Sequence, residues 1–284
     1  MKAGFIGLGH LGRAIAKRLI AEGVSLTVWN RTQEKAADLG VPVAETPASL
    51  ISSTDIVFLN LFDSEAVWSV LTGGEGITAG DCKGKIIIDT STNHFEDVLH
   101  FHEIMREQEA FYLEAPVLGS VGPASAGNLT VLVSGDRTAY DRAHPLISKI
   151  GKNIFFLEGP ALATKMKLIN NLVLGSLMAA LAESVAIAES SGIEKSLAID
   201  ILGAGAGNSA VLNAKKENLL KEDFTTQFSS SLIYKDLHYL QDLARTLKRP
   251  LFSASVVKEL YGMTFSRDMA DLDFSAIYKV LKEY

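Results

Sequence analysis

Two hydrophobic patterns follow one another along the chain. In the first part, short apolar runs of strand length alternate with stretches that have the helical spacing of apolar residues. The apolar runs lie at 3–6, 25–29, 56–61, 85–89, 111–115, 129–134 and 153–156. The helical patterns lie between them, at 11–22, 32–39, 47–52, 64–71, 95–108 and 137–149. Strands that alternate with helices predict an α/β domain with a parallel sheet and crossover helices.

The strand signal ends near residue 158, and helical patterns alone follow. The longest extends over 160–191 and ends at Gly192. Shorter ones lie at 194–202, 210–220, 229–246, 251–265 and 274–282. The change of class predicts an α/β domain at 1–158 and an all-α domain at 159–284, which begins with a long interdomain helix.

A glycine-rich motif connects the first predicted strand to the first predicted helix. It reads Gly7-Leu8-Gly9-His10-Leu11-Gly12. In a dinucleotide-binding βαβ unit, Gly7 permits the tight turn, Gly9 lets backbone N–H groups approach a pyrophosphate, and Gly12 allows close helix–strand packing. The diphosphate then lies at the N-terminus of the helix, beside His10 and Leu11. The motif in this context predicts a Rossmann-type doubly wound sheet.

The end of the second predicted strand discriminates between the two nicotinamide cofactors. An NAD site has a carboxylate here for the ribose 2′-hydroxyl, whereas this chain has Asn30, Arg31 and Thr32. Arg31 can pair with a 2′-phosphate through two parallel N–H bonds, and its neighbours can add neutral donors. The alternative is a solvated turn in which Thr32 caps the next helix. We predict NADP(H) as the cofactor.

Other strand ends extend the predicted cofactor site, because ligands bind outside the carboxyl ends of the strands in such sheets. These ends include Leu61 and Phe62 after the third strand and the segment 89–93 after the fourth. The hydroxyl groups at 90–92, with Thr92 last, suit contacts with ribose or nicotinamide. They are equally suited to cap the helix that begins near Phe95.

Polar residues interrupt the start of the long apolar helix. Lys165 and Lys167 are two residues apart and so point to roughly opposite faces. Lys167 shares its face with Asn170 and Asn171, at i+3 and i+4. Because unpaired buried polar groups are unfavourable, this cluster indicates a cleft in which a substrate contacts it. A solvated first turn is the alternative.

Composition narrows the class of partner. Hydrophobic residues make up 48% of the 284 residues, and the net charge of -6 provides no basic field for nucleic acid. The apolar stretch 172–188 contains Glu183 and is shorter than a membrane span of about 20 residues, so we expect a buried core helix and no membrane partner. The single cysteine, Cys82, is expected to be a replaceable loop residue and fits a cytoplasmic protein. No metal site is predicted.

Taken with their order along the chain, these motifs resemble those of the β-hydroxyacid dehydrogenase family. The matching segments are Gly4-Phe5-Ile6-Gly7-Leu8-Gly9, Trp29-Asn30-Arg31-Thr32, Asp89-Thr90-Ser91-Thr92, Glu114-Ala115-Pro116-Val117-Leu118-Gly119-Ser120, Lys167-Leu168-Ile169-Asn170-Asn171, Lys235-Asp236-Leu237 and Asp271-Leu272-Asp273-Phe274-Ser275. The last segment and the Asn-Arg-Thr turn resemble the glyoxylate/succinic semialdehyde reductase branch.

The resemblance implies a role for each motif. Lys167 is implied as the catalytic lysine and Asn171 as the residue that orients the substrate, with Asn170 beside them. Thr92 is implied at the nicotinamide end of the cofactor, and Lys235 closes over the cofactor from a later helix. The substrate loop comprises Leu118, Gly119 and Ser120. Similar proteins form homodimers or homotetramers, and we expect the same here.

The chain departs from the family pattern at the substrate loop and near it. Leu118 stands where the family usually has serine, which removes a hydroxyl that helps to hold a substrate carboxylate. Ala161 and Ala163 stand where glycines are usual, and Phe95 replaces a proline. These differences bear on the substrate more than on the reaction type.

The sequence therefore predicts an NADPH-dependent reductase of a small carboxylate-bearing aldehyde, reversible as a β-hydroxyacid dehydrogenase, with Lys167 as general acid and base. An imine reductase-like enzyme is one alternative, favoured by Leu118 and disfavoured by Lys167. A non-catalytic NADP-binding sensor or scaffold is another.

Overall fold

The computed structural model describes residues 2–283. Backbone packing divides the chain into two compact units, Met1–Lys167 and Leu168–Tyr284. The first unit contains an 8-stranded sheet. Its strands are β1 Ala3–Ile6, β2 Leu26–Trp29, β3 Ile56–Leu59, β4 Ile86–Asp89, β5 Phe111–Glu114, β6 Val117–Leu118, β7 Leu129–Gly135 and β8 Gly151–Leu157.

The parallel part of this sheet has the order β2-β1-β3-β4-β5. The order reverses at β1, which pairs with β2 on one side and β3 on the other, so the carboxyl ends of these strands flank a switch point. Strands β1, β3 and β4 are buried at every residue. A strand covered on both faces explains the continuous apolar runs in the sequence.

The other end of the sheet contains antiparallel pairs, which the prediction of a parallel sheet did not include. Strand β7 is antiparallel to β5 and β6, and β8 is parallel to β7. Between β5 and β7 the chain forms the two-residue strand β6 and a helix of five residues. A parallel return needs a crossover of a dozen or more residues, whereas the connection from β6 to β7, residues 119–128, is shorter and lets the chain double back.

The helices of the first unit pack around the sheet. They are α1 His10–Ala21, α2 Pro47–Ser53, α3 Ser64–Thr72, α4 Phe95–Glu107, α5 Val121–Ser125 and α6 Arg137–Ile150, with short 3₁₀ helices at Gln33–Ala36 and Ile77–Ala79. The predicted helix at 32–39 is thus a single 3₁₀ turn. Gly40 follows it with φ 65, a left-handed conformation that ends helical structure.

The second unit is helical. Helix α7 Leu162–Ser190 begins in the first unit and continues into the second. The following helices are α8 Lys195–Ala204, α9 Ala210–Lys221, α10 Ser230–Thr246, α11 Ser253–Gly262 and α12 Ile277–Lys282, with 3₁₀ helices at Phe265–Arg267 and Phe274–Ala276.

Helix α7 is partly exposed rather than fully buried, which corrects the expectation of a core helix. Val173, Leu177 and Ile187 are 52%, 40% and 59% exposed. By length and hydropathy alone, α7 is the one helix among residues 2–283 that could cross a membrane, a test that core helices of soluble proteins also pass. The apolar residues of α7 therefore lie on two faces of the helix, one buried inside the protein and one exposed on its surface.

Cys82 was expected to be a replaceable loop residue, and the structure buries it instead. Its side chain is 3% exposed, and its Sγ donates to the carbonyl of Ile77 at 3.1 Å. Burial raises the pKa of the thiol. A buried neutral thiol is a small core residue rather than a nucleophile.

Candidate active site

The glycine-rich loop leads directly from β1 into α1. Gly7 has φ 98, and a Cβ there would lie 2.2 Å from the carbonyl oxygen of Asn60. A Cβ on Gly12 would lie 2.0 Å from the carbonyl oxygen of Gly7. Both contacts are with backbone, which cannot move aside as a flexible side chain can. These two glycines are therefore required by the close approach of the loop, α1 and β3.

The space beside Gly9 fits a diphosphate. A Cβ on Gly9 would meet nothing within 4 Å. Gly9 is also the N-cap of α1, where no side chain caps the helix and the first turn has no acidic residue. His10 is exposed and Leu11 half-buried in this turn. Because the first N–H groups of a helix attract anions, this helix end can hold a pyrophosphate in the way the motif predicts.

The acceptor turn after β2 is tied to the glycine-rich loop. Asn30 Oδ1 accepts a hydrogen bond from the N–H of Leu8 at 2.8 Å, and Asn30 Nδ2 donates to the carbonyl of Thr32 at 2.8 Å. Arg31 and Thr32 are exposed, and Thr32 makes no side-chain cap. Within the described part of the chain, Arg31 takes part in no ion pair. Asn30 thus shapes the turn, and Arg31 is the group left to meet a phosphate.

The loops after β3 and β4 are interlocked by hydroxyl groups. Asn60 Nδ2 donates to Thr90 Oγ1 at 2.9 Å, and the N–H of Leu61 donates to Ser91 Oγ at 2.8 Å. The hydroxyls at 90 and 91 therefore hold the loops together and do not cap α4, whose N-cap is His94. Thr92 is half-buried beside them, and Phe62 is 52% exposed.

Asp89, the last residue of β4, fixes the loop that follows this strand by hydrogen bonds to its carboxylate. Its carboxylate accepts hydrogen bonds from the N–H of Ser91, from Asn93 Nδ2 and from Tyr112 Oη, at 2.8, 2.8 and 2.5 Å. Burial raises the pKa of Asp89. Burial and then the negative charge of Asp89 hold the pKa of Tyr112 well above its usual value. Asp89 was named in the motif but given no role, and it is the residue that orders the segment containing Thr92.

Lys167 lies in the second turn of α7 and is 7% exposed. Its Nζ donates to the carbonyl of Val117 in β6 at 2.9 Å. Lys165 has a different environment, with its Nζ 5.7 Å from the ring centroid of Phe95. The two lysines therefore have different partners, as their spacing predicts, and Lys167 is the one beside the chain segment that follows β5.

That segment is the predicted substrate loop. Leu118 ends β6 and is half-buried, Gly119 is exposed with φ 121, and Ser120 is the N-cap of α5 without a side-chain cap bond. The Ser120 hydroxyl therefore makes no capping hydrogen bond to the backbone of α5. The carbonyl that accepts from Lys167 belongs to the residue before Leu118, so the amine and this loop are adjacent in the first unit.

The remaining predicted residues lie in the second unit and meet around a buried acid. Asn171 is fully buried, and its Nδ2 donates to Asp236 Oδ2 at 2.6 Å. Asn170 Nδ2 donates to Asn171 Oδ1 at 3.2 Å, and Lys235 Nζ lies 3.2 Å from Asp236 Oδ1. Asp236 thus links three predicted residues but was not itself predicted. The signal was present: an aspartate among the apolar positions of α10, next to Lys235.

Across residues 2–283 no group of three or more His, Cys, Asp or Glu could hold a metal ion. In the first unit, the polar groups that follow β3 and β4 are hydrogen-bond donors and acceptors at the carboxyl ends of parallel strands. Together with the glycine-rich start of α1 and the buried lysine of the same unit, they are the features expected of a dinucleotide-dependent enzyme.

Two family models together cover almost the whole chain. The NAD binding domain of 6-phosphogluconate dehydrogenase matches residues 2–159. The NAD-binding domain of NADP-dependent 3-hydroxyisobutyrate dehydrogenase matches residues 161–281. The class of protein follows from these matches: the chain is an NAD(P)-dependent oxidoreductase that uses NADP(H), which confirms the predicted cofactor and enzyme class.

Individual relatives agree with this class. Glyoxylate/succinic semialdehyde reductase 1 of Arabidopsis thaliana is 32% identical over 285 residues, which cover 99% of each chain. The cytokine-like nuclear factor N-PAC of Homo sapiens is 35% identical over 282 residues, or 98% of this chain and 51% of that one. The chain thus spans about half the length of N-PAC. The solved structure of Psf3 in complex with NADP+ and 2-OPP has a TM-score of 0.91 and 29% identity, and covers 98% of this chain and 99% of that one.

The chain belongs to the β-hydroxyacid dehydrogenase family. Both the predicted family and the predicted fold class, a Rossmann-type sheet followed by an all-α part, are confirmed. The coarse activity follows with them: NAD(P)-dependent hydroxyacid dehydrogenase chemistry.

Proposed function

We propose that the protein transfers hydride from NADPH to the carbonyl of a small carboxylate-bearing aldehyde, of the glyoxylate or succinic semialdehyde type, and catalyses the reverse oxidation of the hydroxyacid. The buried Lys167, whose Nζ lies 2.9 Å from the Val117 carbonyl, is the observation that carries this proposal. A buried ammonium beside the predicted substrate loop can donate a hydrogen bond to a substrate oxygen in addition to the one it gives the Val117 carbonyl. The reacting oxygen of an aldehyde is such an acceptor during reduction.

The cofactor supplies the hydride when it is bound. In reduction, Lys167 as an ammonium stabilises the negative charge that develops on the carbonyl oxygen and gives that oxygen a proton. In oxidation, Lys167 as a neutral amine removes the proton from the hydroxyl. Val117 accepts one of the three hydrogens of the ammonium and thereby directs Nζ toward the loop that contains Leu118.

The proposal also assigns roles to residues of the second unit. Asn171 lies one helical turn after Lys167 on α7 and is assigned to the substrate, and Asn170 steadies its amide through the hydrogen bond to Oδ1. Lys235 is assigned to the cofactor. Asp236 holds both Asn171 and Lys235, and its carboxylate fixes which end of the Asn171 amide points away from α10.

Lys167→Met tests the proposal, with Lys165→Met as the matched control on the same helix. NADPH absorbance decay is measured over a panel of glyoxylate, semialdehydes, ketones and cyclic imines. We expect Lys167→Met to lower kcat by about a thousandfold or more while NADPH still binds, because the proton donor is gone. Lys165→Met is expected to keep its activity, since Lys165 faces Phe95.

Near wild-type turnover by folded Lys167→Met would refute the role of Lys167. Turnover of cyclic imines alone would replace the aldehyde by an imine as the substrate class. Tight NADPH binding without turnover of any compound would favour the sensor or scaffold.

We also propose that the exposed stripe of α7 pairs with a second copy of the chain. The stripe consists of positions at i+4 and i+3 spacing that are all exposed: Val173, Leu177, Ala180, Ser184 and Ile187. Exposed apolar residues that share one helix face are typical of a subunit interface. Sedimentation analysis of the purified protein is expected to give a dimer or tetramer, and a monomer would contradict this.

A further inference from the structure

Glu114 is a buried acid at the carboxyl end of β5, and the proposed chemistry does not use it. Its side chain is 1% exposed. Its Oε1 accepts a hydrogen bond from the N–H of Ala161, and its Oε2 accepts one from the N–H of Thr164 at 2.8 Å. Ala161 directly precedes α7, and Thr164 lies in the first turn of this helix. One carboxylate therefore holds two of the N–H groups that a helix start leaves without an internal partner.

We propose that Glu114 is a positioning residue for Lys167: it anchors the first turn of α7 to the sheet, and its negative charge favours the ammonium form of Lys167 one turn later. The inference rests on the proposed function of Lys167. Thr164 and Lys167 are three residues apart on a continuous helix, about 4.5 Å along its axis. A shift of the first turn is therefore passed directly to the lysine.

The backbone around this anchor is held in an unusual conformation. Ala161 has φ 64, in the left-handed region that favours glycine, and its N–H is one of the two donors to Glu114. Ser134 in β7 adds a neutral contact, because its Oγ accepts from the N–H of Ala163 at 3.0 Å. Side chains from β5 and β7 thus hold three N–H groups at the helix start, those of residues 161, 163 and 164.

The charge of Glu114 has a separate effect from its hydrogen bonds. The N-terminus of a helix has a partial positive charge that disfavours a nearby ammonium, and α7 has no acidic residue in its first turn. Glu114 supplies the missing negative charge from the sheet. Three other titratable groups lie near Glu114. His102 on α4 has its Nε2 3.6 Å from Glu114 Oε1. Tyr112 lies two residues earlier on β5, and Asp89 on β4 is paired with Glu114 in the sheet register.

Three variants separate the charge from the hydrogen bonds. Glu114→Gln keeps the size but removes the charge and one acceptor, Glu114→Asp keeps the charge but is one methylene too short to reach both N–H groups, and Ser134→Ala removes the neutral contact alone. Each is measured by the pH profile of kcat for aldehyde reduction, by KM for NADPH, and by hydrogen exchange of residues 160–168. Circular dichroism and thermal melting establish that each variant is folded.

For Glu114→Gln we expect kcat to fall by about tenfold or more with KM for NADPH little changed, because the lysine is misplaced while the glycine-rich loop is intact. The alkaline limb of the profile is expected to move to lower pH by about one unit, since an ammonium loses a nearby negative charge. Glu114→Asp is expected to lose kcat without moving the limb. Ser134→Ala is expected to lower kcat less than Glu114→Asp does, and to leave the alkaline limb of the pH profile unchanged. Exchange at 160–168 should be faster in all three.

An unmoved limb in folded Glu114→Gln would overturn the proposal, because Glu114 would then hold the helix as any structural residue does. If Glu114→Gln does not fold, Glu114→Asp decides, and wild-type kcat and exchange in that variant would overturn the proposal. Failure of the proposed function is recognised separately, by turnover in Lys167→Met. If Lys167→Met is inactive and the alkaline limb of the pH profile is unmoved in Glu114→Gln, the proposed role of Lys167 is retained and the positioning role of Glu114 is rejected.

Discussion

Arg31→Ala is expected to weaken NADPH binding and leave NADH binding almost unchanged. Arg31 is exposed at the acceptor turn, and no carboxylate of the described chain pairs with it. A hydrogen bond to a charged group contributes about 1.5 to 3 kcal/mol, which corresponds to about tenfold to a hundredfold or more in Kd. Because an exposed pair is screened by water and salt, we expect the lower end, about tenfold.

The expected tenfold loss of NADPH affinity assumes that Arg31 contacts the 2′-phosphate and does not hold the conformation of the turn. Asn30 shapes the turn through its bonds to Leu8 and Thr32, and none of these bonds involves the Arg31 side chain. Removal of the guanidinium should therefore leave the adenosine site intact. NADH, which has a hydroxyl in place of the phosphate, reports on that intact site.

Fluorescence titration with each cofactor at low and high salt is the assay. Lys17→Ala is the matched control, since Lys17 is an exposed cation on α1 that pairs with Asp38. The Arg31→Ala loss for NADPH should shrink at high salt, where the wild-type contact is already screened. Equal losses with NADPH and NADH, or an equal effect of Lys17→Ala, would refute the reasoning.

Two further predictions concern packing. Gly12→Ala would place its Cβ 2.0 Å from the Gly7 carbonyl oxygen, so we expect a loss of about 1 to 3 kcal/mol in stability and weaker binding of both cofactors; unchanged melting and titration curves would contradict this. Lys215→Met leaves Asp273 buried without its cation, 2.9 Å away in the native protein. We expect about 3 kcal/mol less stability in urea unfolding, at the low end of the usual range because Asp273 keeps backbone donors such as the N–H of Gln227. A change below about 1 kcal/mol would show that those donors suffice.

Most of the regular structure was predictable from local pattern. Strand β1 was predicted at its observed limits, and β4 and β7 within one residue, because strands that are buried over all or most of their length are runs rich in apolar residues. Helix α2 was also predicted, at 47–52, and its observed start is likewise local: Thr46 Oγ1 accepts from the N–H of Ser49, and Pro47 occupies the first helical position. Such signals lie within a few neighbouring residues and need no tertiary contact.

The missed elements depend on distant residues. Strand β6 has two residues, too few for any periodic pattern, and exists because Val117 and Leu118 pair with Val131 and Thr130 of β7. The antiparallel direction of β7 follows from the same pairing. The burial of Cys82 likewise depends on the packing of the loop around Ile77, while its immediate neighbours in the sequence are polar.

The site shows the same division. Sequence by itself predicted that Gly7, Gly9 and Gly12 form a dinucleotide loop and that Asn30 and Arg31 replace the acceptor carboxylate. These predictions rest on residue type and on spacings of a few positions, whereas Lys167 was identified as the lysine to test by the resemblance to the family. Only the tertiary structure decided which groups hold that chemistry in place. Lys167 meets Val117 across 50 positions of chain and Asn171 meets Asp236 across 65, while Glu114 anchors α7 by backbone N–H groups that any residue type would offer. Contacts of this kind leave no periodic trace in sequence, because they are set by which strands and helices lie side by side.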